Sequence, residues 1–430
     1  MPEEKPAWYE LEVIKEGMGM MGGKAIRGVM SNYFSSRIYT GKLGLLQVTN
    51  YLEAILDEKD RSALIICDDI TQIYTKKVTD FLDSINMEWK VWPHAIPEVP
   101  IHNIEECAKA CEEFKPRVIF AIGGGSVMDL TKMTLIKYEK PEENLLMILP
   151  FIGSLGLRKK VKLWVAIPTT SGTGSEVTQA AVITDTDRNP PKKIEVLSDE
   201  ISSDITILDT DFVKDMPPLL TMGSGLDAFA HAVGCYVSNY GTPFIDAINK
   251  IAIEETIKYL PRAYKYGTED LEARAHMQMA SLMSGIAFGN TTTGIDHSLG
   301  HSFGKIFGVH HGICVGMFLP YSIGYQKNVT ERWKDLCYIF NIKIENRDRD
   351  ELFAEFIQAL KNFISSIDGP TCVIELKNPE IKKEEYFKNI DLLANYADND
   401  AVTLTSYRSI NHEKYKKIFE YAWDGKEIDF

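Results

Sequence analysis

Two patterns of apolar and polar residues divide the sequence. Through about residue 217, short apolar runs alternate with segments whose apolar residues recur at helical spacing. The runs at 62–67, 89–92, 117–122 and 163–167 have the length and composition of buried strands. Strands that alternate with helices in this way predict a parallel sheet with helices on both of its faces.

The texture changes after the Pro217-Pro218 pair. Segments 224–237, 243–260 and 269–288 keep helical periodicity, and β-branched runs become rare. The pattern therefore predicts α/β plus all-α: a parallel-sheet domain over residues 1–217 and an all-helical domain over residues 218–430.

Composition and charge exclude several classes of function. The net charge of −14 disfavours a nucleic-acid partner, which would require a basic face. No apolar run approaches the roughly 20 residues of a membrane span, and the acidic N-terminus lacks the apolar core of a signal peptide. Seven scattered cysteines suit a reducing compartment better than a disulfide framework. We therefore expect a cytoplasmic protein that binds neither nucleic acid nor membranes.

Two glycine-rich turns in the first half have the chemistry of a dinucleotide site. The predicted strand at 117–122 runs into a GGGS turn, where Gly124, Gly125 and Ser126 would present backbone N–H groups at a helix N-terminus. The turn after the next strand, TTSGTGSE, adds the hydroxyls of Thr169, Thr170 and Thr173. Either turn could be a simple connection, and Asp129 could simply cap its helix. Two such turns in one sheet favour a pyrophosphate site.

An acidic residue at the end of the first predicted strand bears on the choice of cofactor. The Asp68 carboxylate could accept hydrogen bonds from an adenosine ribose, and it would repel a 2′-phosphate. This pattern predicts NAD rather than NADP. The alternative is that Asp68 caps a helix or is a solvated loop residue.

Four of the nine histidines crowd into residues 294–320, a cluster with no counterpart elsewhere in the sequence: His297, His301, His310 and His311. Upstream, Asp227 and His231 have the spacing of neighbours on one helix face. A carboxylate and several imidazoles suit a divalent cation. An isolated histidine is usually a satisfied polar residue, but this crowding favours a metal. His297 and His301 cannot be assumed to share an ion, and a turn at 308–312 would return His311 towards them.

Several motifs together resemble the iron-containing, group III alcohol dehydrogenases over about residues 37–423. They are AIGGGSVMDLTK, IPTTSGTGSEVT, VITD, MPPLLTMGSGLDAFAHAV and the histidine-rich stretch from 297 to 320. The resemblance implies a metal-dependent alcohol dehydrogenase that transfers hydride reversibly between a small alcohol or diol and NAD. It also implies that the parallel-sheet domain is dinucleotide-binding and that the all-helical domain binds metal and substrate. The implied metal is Fe²⁺, with Zn²⁺ as the alternative, and the implied assembly is a homodimer or larger homo-oligomer.

The resemblance also implies roles for particular residues. It assigns the metal to Asp227, His231, His297 and His311, and selects His311 over His310 because it precedes Gly312. His301 then lies near substrate and nicotinamide, where it could relay a proton. The implied cofactor contacts are Asp68, Gly124, Gly125, Thr169, Thr170, Thr173, Val182 and Lys193.

Some positions depart from the family pattern. Gly234 stands where the family usually has Glu, Ser406-Tyr407-Arg408 stands where Asn-Pro-Arg is common, and residues 1–36 form an N-terminal extension that most relatives lack. None of these departures removes a proposed ligand. Two other functions stay open: an enzyme of the glycerol dehydrogenase or dehydroquinate synthase type acting on a polyol or phosphorylated substrate, and a non-catalytic NAD- or metal-binding protein.

Overall fold

The computed structural model describes residues 6–21, 36–148, 154–188, 191–238 and 240–430. These divide into two compact units. The first contains the described residues among 1–8 and 32–216, and the second contains those among 9–31 and 217–430. Most of the predicted extension, residues 1–5 and 22–35, lies outside the described residues. The division of the chain into two domains at residues 217 and 218 stays a prediction.

The strands of the described residues all lie in the first unit. In chain order they are β1 Arg37–Thr40, β2 Ser62–Cys67, β3 Glu88–Trp92, β4 Val118–Gly123, β5 Leu163–Pro168, β6 Ala180–Asp185, β7 Lys192–Leu197 and β8 Ile205–Leu208.

The helices are α1 Glu12–Met21, α2 Gly44–Ile55, α3 Thr75–Ser84, α4 Ile101–Phe114, α5 Gly125–Glu139, α6 Pro218–Val237, α7 Pro243–Tyr266, α8 Leu271–Gly289, α9 Asp296–Phe307, α10 His311–Gln326, α11 Arg349–Ser365, α12 Lys383–Asp398, α13 Ala401–Leu404 and α14 His412–Ala422. Helices α2 to α5 belong to the first unit, and α1 and α6 to α14 belong to the second.

Six strands of the first unit form one parallel sheet in the order β1-β8-β5-β4-β2-β3. Every residue of β4 is buried, which explains why its sequence is a continuous apolar run. The strands β6 and β7 pair separately as an antiparallel ribbon. The carboxyl ends of β2, β4 and β5 are neighbours along one edge of the sheet, and this edge carries both glycine-rich turns.

The described residues of the second unit form helices and no strands, around a core of aliphatic and aromatic side chains. A parallel-sheet unit followed by a helical unit is the predicted fold class, which is confirmed. Among the described residues, no helix combines the length and apolar composition that a bilayer crossing requires.

Candidate metal centre and cofactor turns

Helix α6 presents the first two metal candidates. It begins with Pro218, and proline suits the first turn of a helix because an N–H there would have no partner within the helix. All residues of α6 from Thr221 to Val237 are buried. Asp227 and His231 lie one turn apart on it, and they are 2% and 4% exposed. A carboxylate this deep in a helical core needs a compensating group.

Close helix crossing brings a third candidate to the same place. Helix α10 begins at His311, and its second residue, Gly312, lies against α6. A Cβ on Gly312 would lie 1.9 Å from the Gly223 carbonyl oxygen and 3.0 Å from the Asp227 Cβ. Only a glycine permits this approach. The crossing therefore places the His311 ring beside the Asp227 carboxylate.

The imidazoles converge on one oxygen atom. The Nε2 atoms of His311, His231 and His297 lie 3.4, 3.8 and 3.9 Å from Asp227 Oδ1. Ligand atoms of Asp227, His297 and His311 all lie within 4.8 Å of one another. The His231 ring stacks between His297, with centroids 4.6 Å apart, and Phe288, with centroids 4.1 Å apart.

These residues fit a divalent cation. Asp227 Oδ1 and His297 Nε2 are buried and have no hydrogen-bond partner among the described residues. Ligand atoms around a tetrahedral ion at about 2.0–2.2 Å lie about 3.3–3.6 Å apart, close to the separations from Asp227 Oδ1. A carboxylate with imidazoles is also a donor set that suits iron or zinc. The arrangement could hold a metal, and an ion that expands from four to five ligands would also accept a substrate oxygen.

Two buried carboxylates behind the histidines were not predicted from the sequence. Asp296 Oδ2 lies 2.7 Å from His297 Nδ1, and Asp400 Oδ2 lies 2.9 Å from His301 Nδ1. Asp400 also caps α13, where its Oδ1 accepts the Val402 N–H. The signal for Asp296 was its place directly before His297. Nothing in the sequence links Asp400 with His301, which lies 99 positions away.

The other histidines of the cluster differ in their surroundings. His301 lies near the metal candidates, with its ring stacked on His311 at a centroid distance of 5.0 Å. His310 is exposed and precedes α10, where its ring lies against Gly223. The structure therefore separates the adjacent His310 and His311 into a surface residue and a residue of the cluster.

In the first unit, the two predicted cofactor turns touch each other. Gly124 is the N-cap residue of α5. A Cβ on Gly124 would lie 3.2 Å from Thr170, and one on Gly125 would lie 2.8 Å from the Thr173 methyl group. Thr169 N–H donates to the Gly123 carbonyl at 2.9 Å. Gly124, Gly125, Thr169, Thr170 and Thr173 thus form one surface beyond adjacent strands.

Three other cofactor candidates already have partners. Asp68 Oδ1 accepts hydrogen bonds from the Ile70 and Thr71 N–H groups, so this carboxylate shapes the turn after β2. Ser126 Oγ accepts the Glu98 N–H at 3.3 Å. The Val182 N–H donates to Asp129 Oδ2 at 3.0 Å.

Lys193 is the remaining cofactor candidate. It lies in β7, with its Nζ 3.9 Å from Glu98 Oε1. Glu98 thus lies near both Ser126 and Lys193, which brings two candidates from distant parts of the sequence together.

A buried ionisable group beneath the turns was also not predicted. Lys132 Nζ donates to Ser175 Oγ at 2.7 Å, Thr178 Oγ1 at 3.0 Å and the Ala180 carbonyl at 2.6 Å. Burial lowers the pKa of Lys132 to about 8 and raises the pKa of Glu176 to about 7. The sequence signal was Asp129 and Lys132 at i,i+3, directly after the GGGS turn. Asp129 binds the Ser175 hydroxyl at 2.6 Å, so this network fixes the second turn on α5.

Both halves of the chain match models of one protein family. Residues 35–210 match the family described as iron-containing alcohol dehydrogenase, and residues 221–423 match the C-terminal part of the Fe-containing alcohol dehydrogenase family.

Individual relatives extend over most of the chain. An NADPH-dependent butanol dehydrogenase of Clostridium saccharobutylicum is 32% identical over 83% of this chain and 89% of its own length. An NAD-dependent methanol dehydrogenase of Bacillus methanolicus is 29% identical over 81% and 88%. The solved structure of an iron-containing alcohol dehydrogenase from Thermococcus thioreducens has a TM-score of 0.80 and 25% identity, and the match covers 92% of this chain and 100% of that chain.

Proposed function

The chain belongs to the iron-containing alcohol dehydrogenase family, and from that premise we propose that it transfers hydride reversibly between a small alcohol or diol and NAD. The observation that carries the proposal is the convergence of three imidazoles on the buried Asp227 Oδ1. Asp227, His231, His297 and His311 would hold the divalent metal, with Fe²⁺ favoured by the family and Zn²⁺ as the alternative. When bound, the metal supplies Lewis acidity that lowers the pKa of an alcohol hydroxyl.

Residues around this cluster shape its surroundings and transfer a proton. Phe288 packs against His231 and keeps one side of the cluster apolar. His301 passes on the proton that the alcohol releases, and Asp400 holds its ring through Nδ1. The low exposure of His301, 8%, limits competition from bulk water.

The surface beyond β4 and β5 would bind the dinucleotide. Gly124 and Gly125 let phosphate oxygens approach the N-terminus of α5, and the Thr169, Thr170 and Thr173 hydroxyls lie beside them. Ser126 can still donate its hydroxyl hydrogen, because its present bond is accepted through a lone pair. Val182 and Lys193 would complete the site.

We favour NAD over NADP. The carboxylate of Asp68 lies at the carboxyl end of β2, where it would bind ribose hydroxyls and repel a 2′-phosphate. The relatives divide on this point, since the butanol dehydrogenase is named for NADPH and the methanol dehydrogenase for NAD. The seven cysteines are buried thiols that form no disulfide, which fits the predicted cytoplasmic location.

Activity of the metal-loaded protein tests the proposal. The protein is loaded anaerobically with Fe²⁺ or Zn²⁺, and cofactor reduction is followed with graded primary alcohols and diols, using NAD and NADP in parallel. We expect metal-dependent reduction with at least one alcohol, and a higher kcat/KM for NAD. His311→Ala should abolish activity, whereas its exposed neighbour variant His310→Ala should keep it. A metal-loaded protein that is silent on the whole panel would reject the proposal.

The same assay with His301→Ala tests the proton-transfer role. Removal of a general acid–base group should lower turnover by about 10²-fold or more. Metal content should stay at the wild-type level, because His301 is not one of the proposed ligands. A matching loss of metal would show that His301 supports the metal site instead.

A further inference from the structure

Asp296 is a buried acid that the proposed function does not use. It begins α9, it is 0% exposed, and its Oδ2 lies 2.7 Å from His297 Nδ1. Its other oxygen, Oδ1, is buried and has no hydrogen-bond partner among the described residues. A carboxylate in such a place is unfavourable unless a nearby cation or hydrogen bond compensates its charge.

Two glycines keep open the space that this carboxylate occupies. A Cβ on Gly294 would lie 2.2 Å from Asp296 Oδ1. A Cβ on Gly234 would lie 2.9 Å from the Gly294 nitrogen and 3.8 Å from Asp296 Oδ1. A side chain at either position would therefore enter the space beside the Asp296 carboxylate.

The contact with Asp296 determines which nitrogen of His297 can bind a metal. An ionised carboxylate only accepts hydrogen bonds, so Nδ1 of His297 must carry the hydrogen. Nε2 then presents its lone pair, and this is the atom that lies 3.9 Å from Asp227 Oδ1. A carboxylate behind an imidazole ligand also fixes the plane of the ring and raises its basicity.

The charge of the Asp296 carboxylate also suits a place behind a metal ligand. Asp227 and Asp296 lie on either side of the His297 ring, and both are buried. A divalent cation in the cluster would be balanced by these two carboxylates, whereas Asp227 alone would leave it half compensated.

We infer that Asp296 is a positioning residue of the metal centre, which holds His297 in the tautomer and orientation that bind a divalent metal. The inference rests on the proposed metal site. Asp400 supplies a matched comparison, since it makes the same kind of contact with His301, which is not a proposed ligand.

Metal affinity of two variants tests the inference. The affinity for Zn²⁺ and Co²⁺ is measured by competition with a chromophoric chelator for the wild-type protein, Asp296→Asn and Asp400→Asn. Asp296→Asn should weaken binding by about 10–100-fold. It should also shift the visible absorption of bound Co²⁺, because the position of the His297 ring changes. Asp400→Asn should leave the affinity unchanged.

The results distinguish a failure of the inference about Asp296 from a failure of the proposed function. If the wild-type protein binds metal and Asp296→Asn binds it equally well, the role of Asp296 is overturned and the metal site stands. If the wild-type protein binds none, the proposed function fails. Independently of any variant, ¹⁵N NMR of the metal-free wild-type protein should show His297 with its hydrogen on Nδ1. A hydrogen on Nε2 would overturn the inference even where Asp296→Asn fails to fold.

Discussion

At the scale of single residues, the protonation of Glu176 in the second glycine-rich turn makes the stability of the protein depend on pH. The carboxyl is buried beside Lys132, and its pKa rises from the ordinary 4.5 to about 7 because burial disfavours the charged form. The folded protein therefore holds this proton in a pH range where the unfolded chain has lost it. Stability that the neutral carboxyl contributes is present below pH 4.5 and is lost as pH rises through 7.

Glu176→Gln should remove this dependence, because glutamine stays neutral. Relative to wild type, the variant should gain about 3 kcal/mol in unfolding free energy between acidic and slightly alkaline pH. Urea unfolding at a series of pH values measures the difference. Glu380→Gln, at an exposed position, is the control and should follow the wild-type curve. Parallel curves for Glu176→Gln and wild type would mean that the pKa of Glu176 is the same in the folded and unfolded protein.

The sequence predicts a site residue where neighbouring positions carry the pattern that identifies it. Asp227, His231 and the four clustered histidines stand out because ligand-type residues crowd together, and the family resemblance selects His297 and His311 from that cluster. Asp400 has no such signal, and the spacing of Lys132 from Asp129 does not reveal its partners, because the partners that define both residues lie more than 40 positions away. Their roles depend on the packing of elements, which local patterns do not specify.

At the scale of elements, the crossing of α6 and α10 builds the metal candidates into one group. Gly312 and Gly316 lie one turn apart on α10, and a Cβ on Gly316 would lie 2.9 Å from the Leu226 Cβ. The sequence showed the His-Gly pair, but not that its glycine is a helix contact. The two helices approach closely enough for His311 to reach Asp227 because neither glycine has a side chain.

Gly312→Ala should separate these helices. The added methyl group would overlap the Gly223 carbonyl, so α10 must shift, and the cost should be about 1–3 kcal/mol of stability. Metal content should fall with it, because His311 moves away from Asp227. Gly324→Ala on the same helix is the control, since its Cβ would meet nothing closer than 3.3 Å. Denaturation and metal analysis of both variants decide this, and wild-type values for Gly312→Ala would contradict it.

Elements were predicted where the apolar run was long enough. The strand at 62–67 was predicted with the bounds of β2, and β4 and β5 were found to within one residue. The four-residue strands β1 and β8 were not predicted, because each is defined by its pairing with a neighbour. The antiparallel ribbon of β6 and β7 was also missed, since a repeated strand–helix pattern predicts only parallel pairing.

At the scale of the whole molecule, the family resemblance predicted from motifs is confirmed, as are the fold class and the class of enzyme. The motifs succeed because each combines a backbone requirement with a chemical one: glycines for close approach, and histidines or a carboxylate for a ligand. Substrate choice has no comparable signature, since the named relatives act on different alcohols. The metal cluster is therefore the feature on which the account of this protein depends.

Metal stoichiometry tests that account most directly. The purified protein is stripped with a chelator, reloaded anaerobically with Fe²⁺ or Zn²⁺, freed of unbound ion and analysed for metal per chain. We predict one tightly held divalent ion per chain in the wild-type protein and in His276→Ala, a control histidine that stacks on Tyr259. Asp227→Asn and His297→Ala should retain their helical circular dichroism and hold no metal. A folded wild-type chain without metal, or an Asp227→Asn variant that keeps its ion, would contradict the central claim.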